Sequence, residues 1–217
     1  QCVEIPTLLT EAERKRYRQA AVAAGIAVPS VMNSIHWSSP LSDPDPAVRA
    51  ASREGMLASL ATAVEVGADT VLLVPAVVKP EVTYEQAWQR STAEIEKLLP
   101  AYQKAKVCIG IENVGNKFLL SPLEFNAYLD AFGTPYLQAY FDIGNYCAIA
   151  YPQHWVRSLG KRLKKVHIKG YDQSSKTFTK SLLASTIDWA EVRQALRDVA
   201  YDDVLTAELP GEGETIQ

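Results

Sequence analysis

Short apolar runs recur seven times along this chain, each followed by a segment with helical spacing or by the chain's end. The runs are CVEI at 2–5, IAVPSVMNS at 26–34, TVLLVPA at 70–76, KVCIGIEN at 106–113, YLQAYFD at 136–142, LKKVHIKG at 163–170 and DVLTAEL at 203–209. They are largely continuous rather than alternating, which is the pattern of parallel strands buried on both faces. Their spacing of about 25–40 residues is that of one strand-helix unit. Between them the helices carry their own punctuation. Thr10 stands as N-cap to a helix over 10–24 with Glu11 and Glu13 in its first turn, and further helices are expected at 46–66 and 83–104. Ser121 caps a helix that has Pro122 at its first position and Gly133 as its stop, and the last helices are expected at 152–159 and 189–199.

Such alternation fits either a doubly wound sheet or a (β/α)8 barrel. No glycine-rich phosphate loop follows any run, which counts against the nucleotide-binding sheet. Seven units and an opening almost directly on a strand lead us to expect a (β/α)8 TIM barrel without its first strand-helix unit and part of its last helix. The N-terminus reads as trimmed or incomplete, so that a targeting segment could have been lost with it. With 217 residues, 47% of them hydrophobic, the chain is long enough for a substantial core. No linker interrupts it, and one domain over 1–217 is expected.

The net charge is −3 and well mixed, with no basic run able to track a nucleic-acid backbone. No stretch approaches the roughly 20 apolar residues of a membrane span, and the start is not a signal peptide. Cys2, Cys108 and Cys147 are odd in number and lack metal-ligand spacing. They read as buried reduced thiols in a reducing compartment, and a cytoplasmic location is expected.

In a barrel of this kind, chemistry gathers where the strands end. The residues at which the apolar runs turn polar include Glu4, His36, Glu112, Asp142, His167 and Glu208. Each has an ordinary reading alone: Asp142 in FDIGN as an Asx-type turn, His167 as a satisfied core histidine, Glu112 and Glu208 as solvated acids. Their joint place at the ends of four successive units favours convergence. Three converging carboxylates repel one another, and a divalent cation removes that cost. Three carboxylates with one imidazole suit Mn2+, Mg2+ or Co2+, with Zn2+ also possible. His154 falls on an expected helix and reads as a surface or packing residue, while His36 ends a run and could meet a substrate.

The stretches IENVGNKFLLSPLEF, YFDIGNYCAIAYPQHWVRSLGKRLKKVHIKGYD, IDWAEVRQAL and DVLTAELP resemble the xylose-isomerase-like sugar-phosphate isomerases and epimerases. Within them, the likeness is to the branch of L-ribulose- and L-xylulose-5-phosphate 3-epimerases and hexulose-6-phosphate isomerases. The similarity is dense from 111 to 171 and looser over most of the remainder. It implies a barrel with one divalent metal held by Glu112, Asp142, His167 and Glu208. Glu112 and Glu208 would double as the acid/base pair. Glu4 and His36 would fall among substrate-contacting residues, with Asn145 facing the mouth, and Lys117 and Lys169 are candidates for a substrate phosphate. The implied chemistry is proton transfer on a ketose or ketose phosphate through a metal-stabilised enediolate. The loop 77–86 is a candidate to close over the site.

The chain departs from the family where HIKG replaces the frequent His-Ile-Lys-Asp, raising the question whether Asp172 substitutes. AYDD stands in place of a Gly-Tyr-Asp-Gly turn. The same barrel also hosts abasic-site endonucleases, but these need many histidines. This chain has three, and Asn145 stands where a further one would follow Asp142, so nucleic acid is disfavoured. A dehydratase acting on another polyol or inosose, or a barrel that binds carbohydrate without turning it over, are the alternatives. A small-molecule sugar is the expected partner, together with a possible homo-oligomer.

Overall fold

A computed structural model of the chain describes residues 3–6 and 9–209. The Cys2 thiol lies outside the described residues. Seven parallel strands form one sheet: β1 (Ile5–Pro6), β2 (Ser30–Met32), β3 (Thr70–Leu73), β4 (Cys108–Glu112), β5 (Leu137–Asp142), β6 (Leu163–Ile168) and, last in the chain, β9 (Leu205–Ala207). They follow one another in sequence order across the sheet, and among the described residues β1 and β9 are its two edges. The connections are α1 (Glu11–Ala24), α2 (Ile35–Ser38), α3 (Pro46–Val66), α4 (Tyr84–Ala105), α5 (Pro122–Asp130), α6 (Pro152–Leu159) and α7 (Trp189–Asp198). This is the TIM-barrel arrangement expected from the alternation of runs.

Local chemistry sets most boundaries. Thr10 and Thr83 each close a capping box, with Glu13 and Gln86 reaching back to the cap, and Ser121 caps α5 ahead of Pro122. Gly25 and Gly67 end α1 and α3 in the left-handed region, where glycine avoids the Cβ clash. The β3 and β4 segments are buried along their whole length, as continuous apolar runs require. Between α3 and α4 the buried Glu94 carboxylate is held by Arg49, Arg53 and Lys97.

Two segments differ from expectation. The run 26–34 is not a strand to its end: β2 stops at Met32, and Asn33 Oδ1 accepts the Ile35 amide at 3.1 Å to start the helical turn α2. His36 therefore sits on a short helix, not at a strand end. The second difference is a hairpin of β7 (Tyr171–Asp172) and β8 (Thr177–Phe178), which rises from the end of β6. Gly170 is its footing. A Cβ there would lie 2.1 Å from Thr179 Oγ1 and 3.1 Å from the Ser181 carbonyl oxygen, and the Thr179 amide donates to the Gly170 carbonyl. The Thr179 hydroxyl thus fills the space an acidic side chain would need. Asp172 does not substitute for it, since its carboxylate caps the hairpin turn at Ser174 and Ser175.

Sheet register decides which side chains share the barrel interior. Glu112 pairs with Tyr140 across β4 and β5, two residues short of Asp142; His167 pairs with Thr206 across β6 and β9, two short of Glu208. A two-residue stagger keeps side chains on one face, because strands alternate with period two. Between β5 and β6 the register shifts at Ala139/Tyr140. Ala139 pairs with Leu163 but Tyr140 with Lys165, so Asp142 meets His167. Unbroken pairing would have set Val166 there. The β-bulge at Lys164 turns His167 to the inner face.

Gly170→Ala is expected to lower stability by about 1–3 kcal/mol, because the new methyl group must displace Thr179. Thermal unfolding checks this, and Gly170→Ala paired with Thr179→Gly should recover part of the loss.

Candidate active site

Glu112, Asp142, His167 and Glu208 converge at the C-terminal ends of four neighbouring strands. Each offers one ligand atom, and these atoms lie within 4.8 Å of one another. Glu112 ends β4, Asp142 ends β5, His167 is the penultimate residue of β6, and Glu208 follows β9. The Glu208 amide donates to the Ile168 carbonyl, which ties the last of the four to the adjacent strand.

Asp142 is the most firmly fixed. Its Oδ1 accepts the amides of Gly144 at 2.7 Å and Asn145 at 2.9 Å, so the Asx-type turn is present. Its backbone is clasped by Asn113, which accepts from the Asp142 amide at 2.7 Å and donates to its carbonyl at 2.9 Å. Asn145 Nδ2 donates to the Asn113 carbonyl at 2.9 Å, completing the frame. All this leaves Asp142 Oδ2 buried and without a hydrogen bond, whereas Glu208 Oε2, also buried, is met by an ion pair. The Lys169 ammonium lies 3.6 Å from the first and 2.8 Å from the second, and donates to Asn145 Oδ1 at 3.2 Å. A buried Asp142 oxygen with no hydrogen bond, beside two further carboxylates and an imidazole, is what a cation site requires, so the residues present fit one divalent ion.

The electrostatics point the same way. Burial pushes the Asp142 carboxyl up to about 7, with Lys169 opposing and Glu112 and Glu208 adding to the rise. Burial also raises Glu112, against the pull of His167. For Glu208, burial is outweighed by Lys169, and the net shift is downward. Burial works to lower His167, but its contacts with Glu112 and Glu4 dominate and carry it up to about 10. Burial raises two of the acids while neighbouring charges of opposite sign hold Glu208 ionised and His167 protonated, so the mouth gathers positive charge toward its carboxylates.

A cavity of about 400 Å³ opens over this cluster. Glu112, Glu208, Asn145, Lys169 and His36 line it, whereas Asp142 and His167 do not. Sequence reasoning missed the apolar part of the wall: Met32, Leu72, Val114, Trp37 and Phe178. Phe178 arrives on the hairpin and lies 5.1 Å from Lys169 Nζ, ring centroid to nitrogen. Asn113 was also missed, although a polar residue following the last strand residue, Glu112, was a usable signal.

Two expected site residues and one expected loop stand elsewhere. Lys117 is exposed, takes a left-handed backbone (φ 60°) and is absent from the cavity wall. Glu4 does not line the cavity and lies instead against His167. The loop 77–86 does not reach the cavity; it is pinned by Val77 to Ser42, by Val78 to Asn116 and by a Lys79–Val82 bridge.

The sequence profile of the family described as "Xylose isomerase-like TIM barrel" matches residues 1–217. The chain belongs to that family. L-ribulose-5-phosphate 3-epimerase UlaE of Escherichia coli O1:K1 / APEC is 29% identical to it over 129 residues, 59% of this chain and 45% of that protein. The UlaE of Escherichia coli O45:K1 (strain S88 / ExPEC) gives the same figures. The match thus spans under half the length of these relatives. Among solved structures, an L-ribulose 3-epimerase superposes with a TM-score of 0.84 at 21% identity, covering 98% of this chain and 72% of that one. A D-psicose 3-epimerase in the presence of D-fructose gives 0.82 at 19% identity, over 99% of this chain and 76% of that one. At such identities the likeness establishes the fold. Among the described residues no helix is long and apolar enough to cross a membrane.

His36 offers a pH test. Its Nδ1 accepts the Val74 amide at 3.4 Å, its ring meets Trp37 edge-on, and burial lowers it from 6.5 to about 4. A histidine depressed in the folded state binds its proton only in the unfolded chain between those values. Its contribution to stability is complete above pH 6.5 and is lost toward pH 4, at about 1.4 kcal/mol per pH unit. Urea unfolding of the wild type and His36→Gln across pH 7 to 4.5 should show a shallower acid slope in the variant.

Proposed function

We propose that this chain is a metal-dependent epimerase or isomerase of a ketose, with residues 1–217 forming one barrel domain. The observation that carries this reading is the division of the four converging residues. Glu112 and Glu208 face the cavity, while Asp142 and His167 lie behind them. Two carboxylates therefore meet both the ion site and a bound molecule.

Glu112, Asp142, His167 and Glu208 would hold the ion. When bound, a divalent cation supplies Lewis acidity to the ketose oxygens and offsets the negative charge that develops on them. One cavity-facing glutamate takes the proton from the carbon beside the carbonyl, leaving the electron pair in an enediolate. The other glutamate, in its protonated form, returns a proton. Delivery to the same carbon from the opposite face gives epimerisation; delivery to the neighbouring carbon gives aldose–ketose isomerisation. Glu112 and Glu208 come from strands separated by β5 and β6, which supports approach from two sides. Asn113 and the Asx turn hold Asp142 still, so neither glutamate need reorient when its proton moves. Trp37, Phe178 and Val114 provide an apolar wall that limits water at the reacting carbon.

An unphosphorylated ketose suits the cavity better than a phosphate ester. Among the described residues, Lys169 is the only lysine or arginine in its wall, and it is engaged with Glu208 and Asn145.

The first experiment is a panel of ketoses and ketose phosphates with added Mn2+, read by NMR for product and for C3–H exchange in deuterated water. Exchange and epimer together are expected, as is a loss of about 10²–10⁴ in kcat for Glu112→Gln and Glu208→Gln, with Mn2+ still bound. Near-wild-type turnover in either variant defeats the acid/base assignment. Binding without exchange would favour a carbohydrate-binding barrel, and loss of water from the sugar would favour a dehydratase.

A further inference from the structure

Glu4 precedes β1 and its carboxylate is largely buried inside the barrel, beneath the converging residues. Its Oε2 lies 3.0 Å from His167 Nε2. Its Oε1 accepts from the Ser30 hydroxyl at 2.9 Å and from the Tyr140 hydroxyl at 3.1 Å. The Tyr140 ring packs on the His167 ring, with centroids 4.4 Å apart. Both Glu4 oxygens are therefore committed within the barrel, and neither faces the cavity.

A neutral imidazole carries one ring proton. With Nε2 donating it to Glu4, the lone pair stays on Nδ1, the nitrogen that faces Glu112 Oε1 at 3.2 Å and Glu208 Oε2 at 3.5 Å. The opposite tautomer would leave Nε2 and the Glu4 carboxylate as two acceptors facing each other, with no acceptor on the ion side. A carboxylate behind a ligating histidine both orients the ring and raises its basicity.

We propose that Glu4 is a positioning residue for His167 and not a substrate contact: it fixes the Nε2–H tautomer that presents Nδ1 to a divalent cation, and Ser30 and Tyr140 hold Glu4 in turn. This inference rests on the metal-site reading given above. The sequence order of the parts makes the arrangement specific to the fold. Tyr140 lies two residues before Asp142 on β5, so the strand that supplies one ligand also supplies, one pleat lower, the hydroxyl that supports another.

The test is Mn2+ affinity, measured by EPR titration, together with 15N–1H spectra of the histidine rings in the metal-free and Mg2+-bound protein. Only His36, His154 and His167 contribute ring signals. Glu4→Ala should weaken Mn2+ binding by about 10–100-fold and remove the protected Nε2–H signal of His167. Glu4→Gln keeps an oxygen acceptor and should retain that signal, with a smaller loss of affinity. Tyr140→Phe, which removes one of the two hydroxyls on Glu4, should cost a few-fold in affinity and serves as the deciding arm with Glu4→Gln if Glu4→Ala fails to fold. Wild-type protein that does not bind Mn2+ overturns the metal-site reading itself. Wild-type binding with affinity unchanged within about twofold in Glu4→Gln and Tyr140→Phe overturns the role of Glu4 alone, as does a protected His167 Nε2–H that survives in Glu4→Ala.

Discussion

Three carboxylates converge at one mouth, Glu112 and Asp142 buried and Glu208 partly exposed, and the rest of the site is arranged around the cost of holding them there. Glu112, Asp142 and Glu208 repel one another in a region with little water to screen them. Lys169 compensates from above, His167 from beside them, and burial pushes the Asp142 carboxyl well above the usual carboxylate range. The second oxygen of Asp142 still receives no hydrogen bond. Apolar residues of the same volume would pack there without the penalty. The convergence of these acids at the ends of strands is the arrangement that a shared cation would relieve.

Much of this was legible in the sequence, for reasons that can be named. The long helix over Pro46–Val66 was readable because Pro46 and Gly67 bracket it, and the four converging residues were readable because each closes or nearly closes an apolar run. The hairpin of β7 and β8 was not. Its strands are two residues each, and its turn is a polar stretch that Asp172 organises through Ser174 and Ser175. Nothing in so short a segment carries a period. The turn at His36 was hidden for a different reason: the run before it remains apolar through Met32, and only the Asn33 side chain redirects the backbone.

Glu4 shows where position alone misleads. It ends an apolar stretch like the others, yet the barrel interior turns it toward Ser30, Tyr140 and His167 instead of the cavity. A strand-end acid can serve the substrate, the ion or another side chain, and only the facing partners distinguish these. Lys117 is exposed and stands outside the cavity wall.

The bulge at Lys164 has a consequence for how this strand can change in length. His167 reaches the inner face only because one additional residue is accommodated against Ala139 and Tyr140. Deleting a single residue between Leu163 and Val166 while keeping the pairing would exchange the faces of everything beyond it, placing a neighbour where the imidazole belongs. Insertions and deletions are therefore admissible in the loops on either side, but within β6 only in steps of two. Among descendants of this barrel, the spacing from Leu163 to His167 should vary less than the identity of the residues that fill it.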